Sequence, residues 1–423
     1  MTRLKASALY MVIIIALVIG VICSSLIVSA YYYRLQYQKQ SRYTMLQNNV
    51  SSAVNILVAG QDTGYYSKTF SLFNGDADSV SIQKIFWGAY DVGIAQAFIQ
   101  KDTLYKTFSI ANTVDSAKWA AIYLKDDQRP LDLSGKTTIR GDAFIPPAGV
   151  NQAYVNNVAY TGDKQLITGT KHNSDKTLPP LDSLRLIQFK ELIAKGRAND
   201  VFVLKTDSLY NSFLVASNII NLGGKTTLIS NTRLCGNIIL FSDTSLTIDS
   251  TVRLSNVMIF AKSITVKSGF KGLCQLFATD SICIEPRCNF SYPSCLGILR
   301  FKPASVVSTQ EKISLQKSDL FNGLIFTYEK GKTTVLPLIQ IGSNVKVKGQ
   351  IYSQGYLQFN DNAEVDGSVF TDKFLYHTTF TVYENYIVNT TINEQALSRY
   401  YLSSEMIPVA SQTQKVLQWI AGN

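Results

Sequence analysis

NVKVKGQIY at residues 344–352 and NAEVDGSVF at residues 362–370 share one pattern: an aliphatic residue, a spacer, a glycine, a spacer, then an apolar pair ending in an aromatic ring. The pattern recurs, with Gly or Asn at the fixed place, in TTIRGDAFI (137–145), TRLCGNIILF (232–241) and TVRLSNVMIF (251–260). Its aliphatics are Ile139, Leu234, Leu254, Val347 and Val365, and its turn residues are Gly141, Gly236, Asn256, Gly349 and Gly367. The aromatics Phe241, Phe260 and Phe277 follow one another at intervals of 19 and 17, and Tyr352 and Phe370 at 18. A repeat near 18 residues with a small residue in one column predicts a β-solenoid. Inward aliphatics stack as ladders about 4.8 Å apart while Gly or Asn turns the corner, and no single tier buries its own apolar face.

Outward from these repeats, the solenoid is placed at residues 131–380, with an insertion at 151–222. The insertion holds a polar loop, GDKQLITGTKHNSDKTLPPLD (162–182), and then LRLIQFKELIAKG (184–196), an amphipathic pattern ending at a glycine that predicts a capped helix over the solenoid's end or edge. At the carboxyl end, residues 381–423 form a cap. NEQALSRYYLSSEMIP (393–408), with Asn393 as N-cap, and QKVLQWIAGN (414–423), with Gly422 past its last turn, both read as helices that cover an open strand edge.

The amino-terminal side is of another kind. ALYMVIIIALVIGVICSSLIVSA (8–30) carries no charge over about 23 residues, enough at 1.5 Å per residue to cross a bilayer core. The run is too long for the apolar core of a signal peptide, so it predicts an uncleaved anchor at 8–33 behind a short leader at 1–7. Tyr31, Tyr32 and Tyr33 sit where an aromatic belt meets lipid headgroups. Arg3 and Lys5 favour a cytoplasmic amino terminus and an extracytoplasmic body, although Arg34, Lys39 and Arg42 follow the span. Tyr43, Leu46, Val50, Val54 and Leu57 then recur at steps of three and four, so residues 34–60 continue as an amphipathic helix. Between 61 and 130, alternating strands such as SVSIQKIFWGAYDVGIAQAF (79–98) predict a small antiparallel β region that connects anchor and body, with Phe86, Trp87 and Trp119 in its core.

A basic leader, an apolar helix running on into an amphipathic half and a β-rich body resemble the type IV pilins and pseudopilins, above all their divergent minor members. The resemblance covers about the first 60 residues, with Lys5 before the span and Tyr10 where the family carries Glu. The repeats at 131–150 and 232–376 resemble the bactofilins, β-helical scaffold proteins that form polymers. Both resemblances imply a structural or assembly role.

Charge and cysteine content narrow the partners. Lys and Arg number 40 against 30 Asp and Glu, and the excess is spread without a dense basic run, which disfavours nucleic acid; it reads first as an ordinary solvated basic surface, and second as suiting a body near anionic lipid or acidic polysaccharide. The body holds Cys235, Cys274, Cys283, Cys288 and Cys295, an odd set. Cys288 and Cys295 flank the turn-forming NFSYPS and are the pair expected to form a disulfide. With two histidines, His172 and His377, and no paired-cysteine spacing, neither a metal nor a cofactor is expected.

Parallel β-helices also host enzymes that cut polysaccharides with carboxylates on neighbouring tiers. Asp243, Asp249, Asp280, Glu285 and Asp372 are the acids such chemistry could draw on, and of these Asp243 and Asp280 are the weak catalytic candidates. Asp243 is expected to pair with Lys262 on the next tier, with Asp280 facing the other way. The resulting expectation is a mainly β, single-pass envelope protein, not an enzyme, whose body stands in the periplasm or at the cell surface. Its partners are membrane lipid, other envelope proteins or copies of itself. The alternative is a tethered β-helix that binds or cuts polysaccharide.

Overall fold

The computed structural model describes residues 6–60, 64–75, 78–201, 207–301, 310–331 and 335–420; residues 1–5 of the expected leader at 1–7 and the expected cap glycine, Gly422, lie outside them. The chain is mainly β with one long apolar helix, and it divides into two compact units. The first consists of Met1–Gly60, Gly64–Lys84 and Ile94–Lys106, and the second chiefly of Ile85–Gly93 and Thr107–Asn423. Three strands, Ser79–Trp87, Tyr90–Ile99 and Asp102–Val114, run through both.

In the first unit, helix α1 spans Ala6–Ala59 without interruption. No proline occurs in it, and Gly20 is its lone glycine, so nothing in the sequence breaks the backbone ladder. Its upper part bares Leu9, Ile13, Leu17, Val21, Ile27 and Tyr33 to the surroundings, whereas Leu46, Val50, Ala53, Val54 and Leu57 are buried. Tyr43, at the head of the expected stripe, stays exposed. Tyr66–Ser71 pairs antiparallel with residues 79–84, and Val80, Ile82, Ala95, Ala97 and Ile99 supply buried apolar surface in the same unit. Polar contacts tie helix to strand there: Arg42 Nη1 lies 3.5 Å from Asp102 Oδ2, and Lys106 Nζ donates to Ser51 Oγ at 3.2 Å.

The second unit is a ladder of parallel strands. Lys346–Phe359 pairs in parallel with Glu364–His377, placing Val347 on Val365, Gly349 on Gly367 and Tyr352 on Phe370. Arg233–Phe241, Arg253–Val266, Lys271–Ile284, Asn289–Arg300 and Leu320–Glu329 precede them in the same order. Side-chain parity sorts the residues into two cores. Leu234, Leu254, Ile259, Phe321, Val347 and Val365 belong to one buried cluster, whereas Ile239, Phe241, Phe260, Phe277, Tyr352 and Phe370 belong to another on the opposite side of the strands.

Corners are set by residues in the left-handed region. Gly141, Gly236, Gly349 and Gly367 have φ of +124°, +90°, +140° and +150°, and Asn256 has +55°. Gly323, in FNGLIF, belongs to the same column at +143° and stands in register between Ser294 and Gly349. A side chain at Gly349 would strike the Gly323 carbonyl oxygen, and one at Gly367 the Gly349 carbonyl oxygen. A second corner column, absent from the sequence reading, runs through Arg287, Ser318, Asn344, Asn362 and Asn389, all at positive φ. Their backbone amides donate to the neighbouring tier: Arg287, Ser318 and Asn344 to the residue before the next corner, as in Ser318 N to Ser343 O at 3.1 Å, and Asn362 to the corner residue itself, Asn389 O at 2.9 Å.

Tier order departs from chain order. The TTIRGDAFI tier does not stack beside Thr232; Ile122–Leu124 pairs with residues 369–371, and Ala143–Ile145 pairs in turn with residues 122–123 and with Lys171–Asn173. The expected insertion therefore carries the chain from one end of the ladder to the other, where Ser208–Asn211 pairs with the start of Arg233–Phe241. Helix α2, Ser183–Arg197, makes part of that return. It covers the outer aromatic column and not an end or edge: the Phe189 ring lies 4.8 Å from that of Phe277 and 6.4 Å from that of Phe260. Asp182 caps it by accepting Arg185 N at 2.7 Å. Gly196 is inside the helix and is not its cap. It is glycine because a Cβ there would meet the Phe241 ring.

The C-terminal helices are replaced by other structure. Residues 394–396 form a single 3-10 turn with Asn393 as its cap, and Ala410–Ile420 is a strand, antiparallel to residues 107–114. The period of QKVLQWI fits either geometry, and the free edge of Asp102–Val114 selects the extended one.

Candidate functional site

A cleft of about 580 Å³ opens where three pieces of the second unit meet. The end of Asp102–Val114 contributes Thr113, the strand Ala410–Ile420 contributes Lys415, and the turn after Asn393 contributes Glu394, Arg399 and Tyr400. Between the first two lies a tight turn in which Asp115 O accepts the amides of Lys118 and Trp119, each at 3.0 Å. That turn delivers the Trp119 side chain to the cleft wall, half-buried, its ring 6.1 Å from Tyr401 and tilted 33° to it. Tyr400 is 79 % exposed, and the Arg399 guanidinium sits 5.9 Å from its ring centroid.

Charge in this cleft is unbalanced. Arg399 and Lys415 have no carboxylate partner among the described residues, while Lys118 is matched by Asp115 at 3.5 Å. Burial, with the nearby Asp142 charge second, pushes the Glu394 carboxyl up to about 7, and its Oε2 is buried without a hydrogen-bond partner. The site can therefore present two cations, an aromatic face and a carboxyl that is substantially protonated near neutrality.

Two other cavities lie in the same unit. One of about 280 Å³ is lined by Lys125, Glu329, Gln354 and Asp372, where Lys125 Nζ is 3.3 Å from Asp372 Oδ2 and Arg300 Nη1 is 3.5 Å from Glu329 Oε1. Arg300 also pairs with Glu311. The other, about 510 Å³, holds Tyr210, Arg233, Cys235 and Trp419 beside the corner residues Gly236 and Asn256.

The expected catalytic candidates stand apart from these cavities. Asp243 pairs with Arg197 of α2 at 3.5 Å and not with Lys262, because Lys262 is aligned with Thr244 and pairs instead with Asp280 at 3.7 Å. Asp249 is a turn staple that accepts Thr251 N at 3.0 Å and Thr251 Oγ1 at 2.8 Å, and Glu285 pairs with Lys267 at 2.6 Å. Among the described residues, no three His, Cys, Asp or Glu side chains are grouped to hold a metal ion. His172 is exposed and stacks on Phe144 at 4.8 Å; exposed His377 contacts Thr378 O through Nδ1 at 3.0 Å.

Cys288 and Cys295 are not joined. All six cysteines are free, and the two sit in different cores, Cys288 in the inner cluster and Cys295 in the outer one. They lie seven positions apart, an odd spacing, and the side chains alternate between the two cores on both sides of the register shift between Phe290 and Ser294: Cys288, Phe290 and Leu296 face the inner cluster, Cys295 and Leu299 the outer one. Burial pushes the Cys288 thiol up to about 11, which leaves little thiolate for exchange.

The cleft residues are hard to see in the sequence because Glu394, Arg399 and Tyr400 fall in a stretch that reads as helical, and Trp119 reads as core of the connector. The signal that marks them is local: Trp119 follows the turn former Asp115-Ser116, and Arg399-Tyr400-Tyr401 is a polar-aromatic cluster without an apolar repeat. Comparison of the chain with family models, with curated proteins and with solved structures finds no match.

Proposed function

We propose that this chain is a membrane-anchored envelope protein whose long amino-terminal helix displays a β-solenoid body, and that the body serves as a structural or assembly element. One observation carries the reading: α1 is a single helix whose apolar upper part is bare of protein contact while its lower turns are buried. It is long and apolar enough to cross a membrane. A bare apolar surface of this size in water would drive aggregation, and lipid removes that cost. The solenoid reading is supported by in-register parallel pairing about one repeat apart and by corner glycines stacked on one another. The likeness to pilin-type helices and to bactofilin-type ladders is part of the same proposal.

The test is a tag after Asn423 and protease added to intact cells, to cells with the outer barrier opened, and to lysed membranes. Digestion at the first or second stage, with the chain retained in membranes after alkaline washing, is the expected result. Protection until the inner membrane is lysed puts the body in the cytoplasm and sinks the envelope reading. Release by alkaline washing sinks the anchor.

A further inference from the structure

We propose that the cleft between Trp119, Tyr400 and Lys415 binds an acidic saccharide, a sugar unit stacking on Trp119 while its carboxylate or sulfate group meets Arg399 and Lys415. This goes beyond the anchoring and display role, since that role needs no cleft.

The cleft's volume, about 580 Å³, suits one or two sugar rings. A pyranose has one apolar face of C–H bonds and a rim of hydroxyls. It therefore needs a flat aromatic surface flanked by groups that both donate and accept. Trp119 supplies the flat surface, and Thr113, Ser398 and Gln395 stand around it with hydroxyl and amide groups. The exposed Tyr400 is a second platform at the mouth.

The acidic character of the ligand follows from the charges. Arg399 and Lys415 point to an anion, and neither has a carboxylate of the protein to neutralise it among the described residues. The one acid of the cleft, Glu394, is half-buried, and burial favours its neutral form, so it opposes a bound anion weakly. An acidic peptide would satisfy the cations but not the flat wall beside hydroxyl and amide groups. A bare phosphate would leave Trp119 unused.

Isothermal titration of the full-length protein in detergent tests this with three probes: a hexamer of galacturonic acid, a neutral glucose hexamer and inorganic phosphate. The expected order is saturable binding of the acidic hexamer, binding about 10-fold weaker for the neutral one, and none for phosphate. Trp119→Leu and the double substitution Arg399→Gln, Lys415→Gln should each weaken the acidic hexamer about 10-fold, while Trp419→Leu in the separate cleft leaves it unchanged. Because Arg399, Tyr400 and Lys415 are exposed, the charge variant and Tyr400→Ala keep the fold, and an unchanged melting temperature verifies that. Absence of acidic-hexamer binding, equal affinity for both hexamers, binding of free phosphate, or indifference to every cleft substitution each overturns the proposal. Those results leave the anchor and protease experiments untouched, so the two readings fail separately.

Discussion

The ring of Tyr123 stacks on that of Phe370, with centroids 5.5 Å apart and planes 14° from parallel. The stack continues through Phe144 at 5.3 Å on one side and Tyr352 at 6.3 Å on the other. It is the join at which an early piece of the chain extends a ladder built almost wholly from later residues.

Tyr123→Ala should therefore cost about 3 kcal/mol, the loss of a buried ring at a site held between two others. Tyr123→Phe keeps the stack and loses only the hydrogen bond that the hydroxyl accepts from Asp175 N at 3.1 Å, about 1 kcal/mol. Urea unfolding measures both. Amide exchange in the alanine variant should rise at residues 122–124 and 369–371 together; a rise in one segment alone would mean that the join is not cooperative.

A stacked corner glycine and a glycine in an open turn differ sharply in what they tolerate. Gly349→Ala forces a side chain onto the Gly323 carbonyl at φ +140°, and a loss of about 3 kcal/mol or more is expected. Gly224→Ala meets nothing within 4 Å and should change stability by no more than about 0.5 kcal/mol. Equal melting temperatures for the two variants would refute the stacked-corner account.

Gly196 reverses an ordinary preference. Alanine in a helix interior is better than glycine by about 1 kcal/mol, yet at this position the added methyl meets the Phe241 ring. Gly196→Ala should thus lower stability by about 1–2 kcal/mol, and Phe241→Leu in the same chain should recover part of it. A stabilised single variant would mean that α2 is free to lift from the aromatic column.

Glu394 gives a pH dependence with a definite sign. Its carboxyl is raised from 4.5 to about 7, first by burial and then by the Asp142 charge, so between those values the folded chain holds a proton that the unfolded chain has released. The contribution of this group to stability falls as pH rises through that window and stays low above it. Glu394→Gln removes the effect, so the drop in melting temperature from pH 5 to pH 8 should be smaller in the variant. Parallel curves would show that Glu394 titrates as an ordinary surface acid.

Much of the architecture was legible in single residues. Leu234, Leu254, Val347 and Val365 announced the inner column by spacing, and Gly349 and Gly367 the corners, because a two-residue alternation and a positive φ are local properties that few residue types satisfy. The apolar run before Tyr31 likewise set the exposed half of α1. Asn344 and Asn362 mark the second corner, but asparagine also serves as an ordinary turn residue, so its presence alone does not single out a column.

Other features had no local signature. The sequence by itself determined the repeat, the parity of each strand, the corner residues and the uncharged helix, all consequences of sterics and side-chain polarity over a few residues. Tertiary structure decided that Tyr123 meets Phe370, that residues 414–420 extend along Thr107–Val114 instead of coiling, that Cys288 and Cys295 face different cores, and that Glu394, Trp119 and Lys415 share a cleft. Those outcomes depend on which free edge or apolar face lies nearest once the ladder has formed, and such complementarity between distant surfaces is written in no single stretch of the chain.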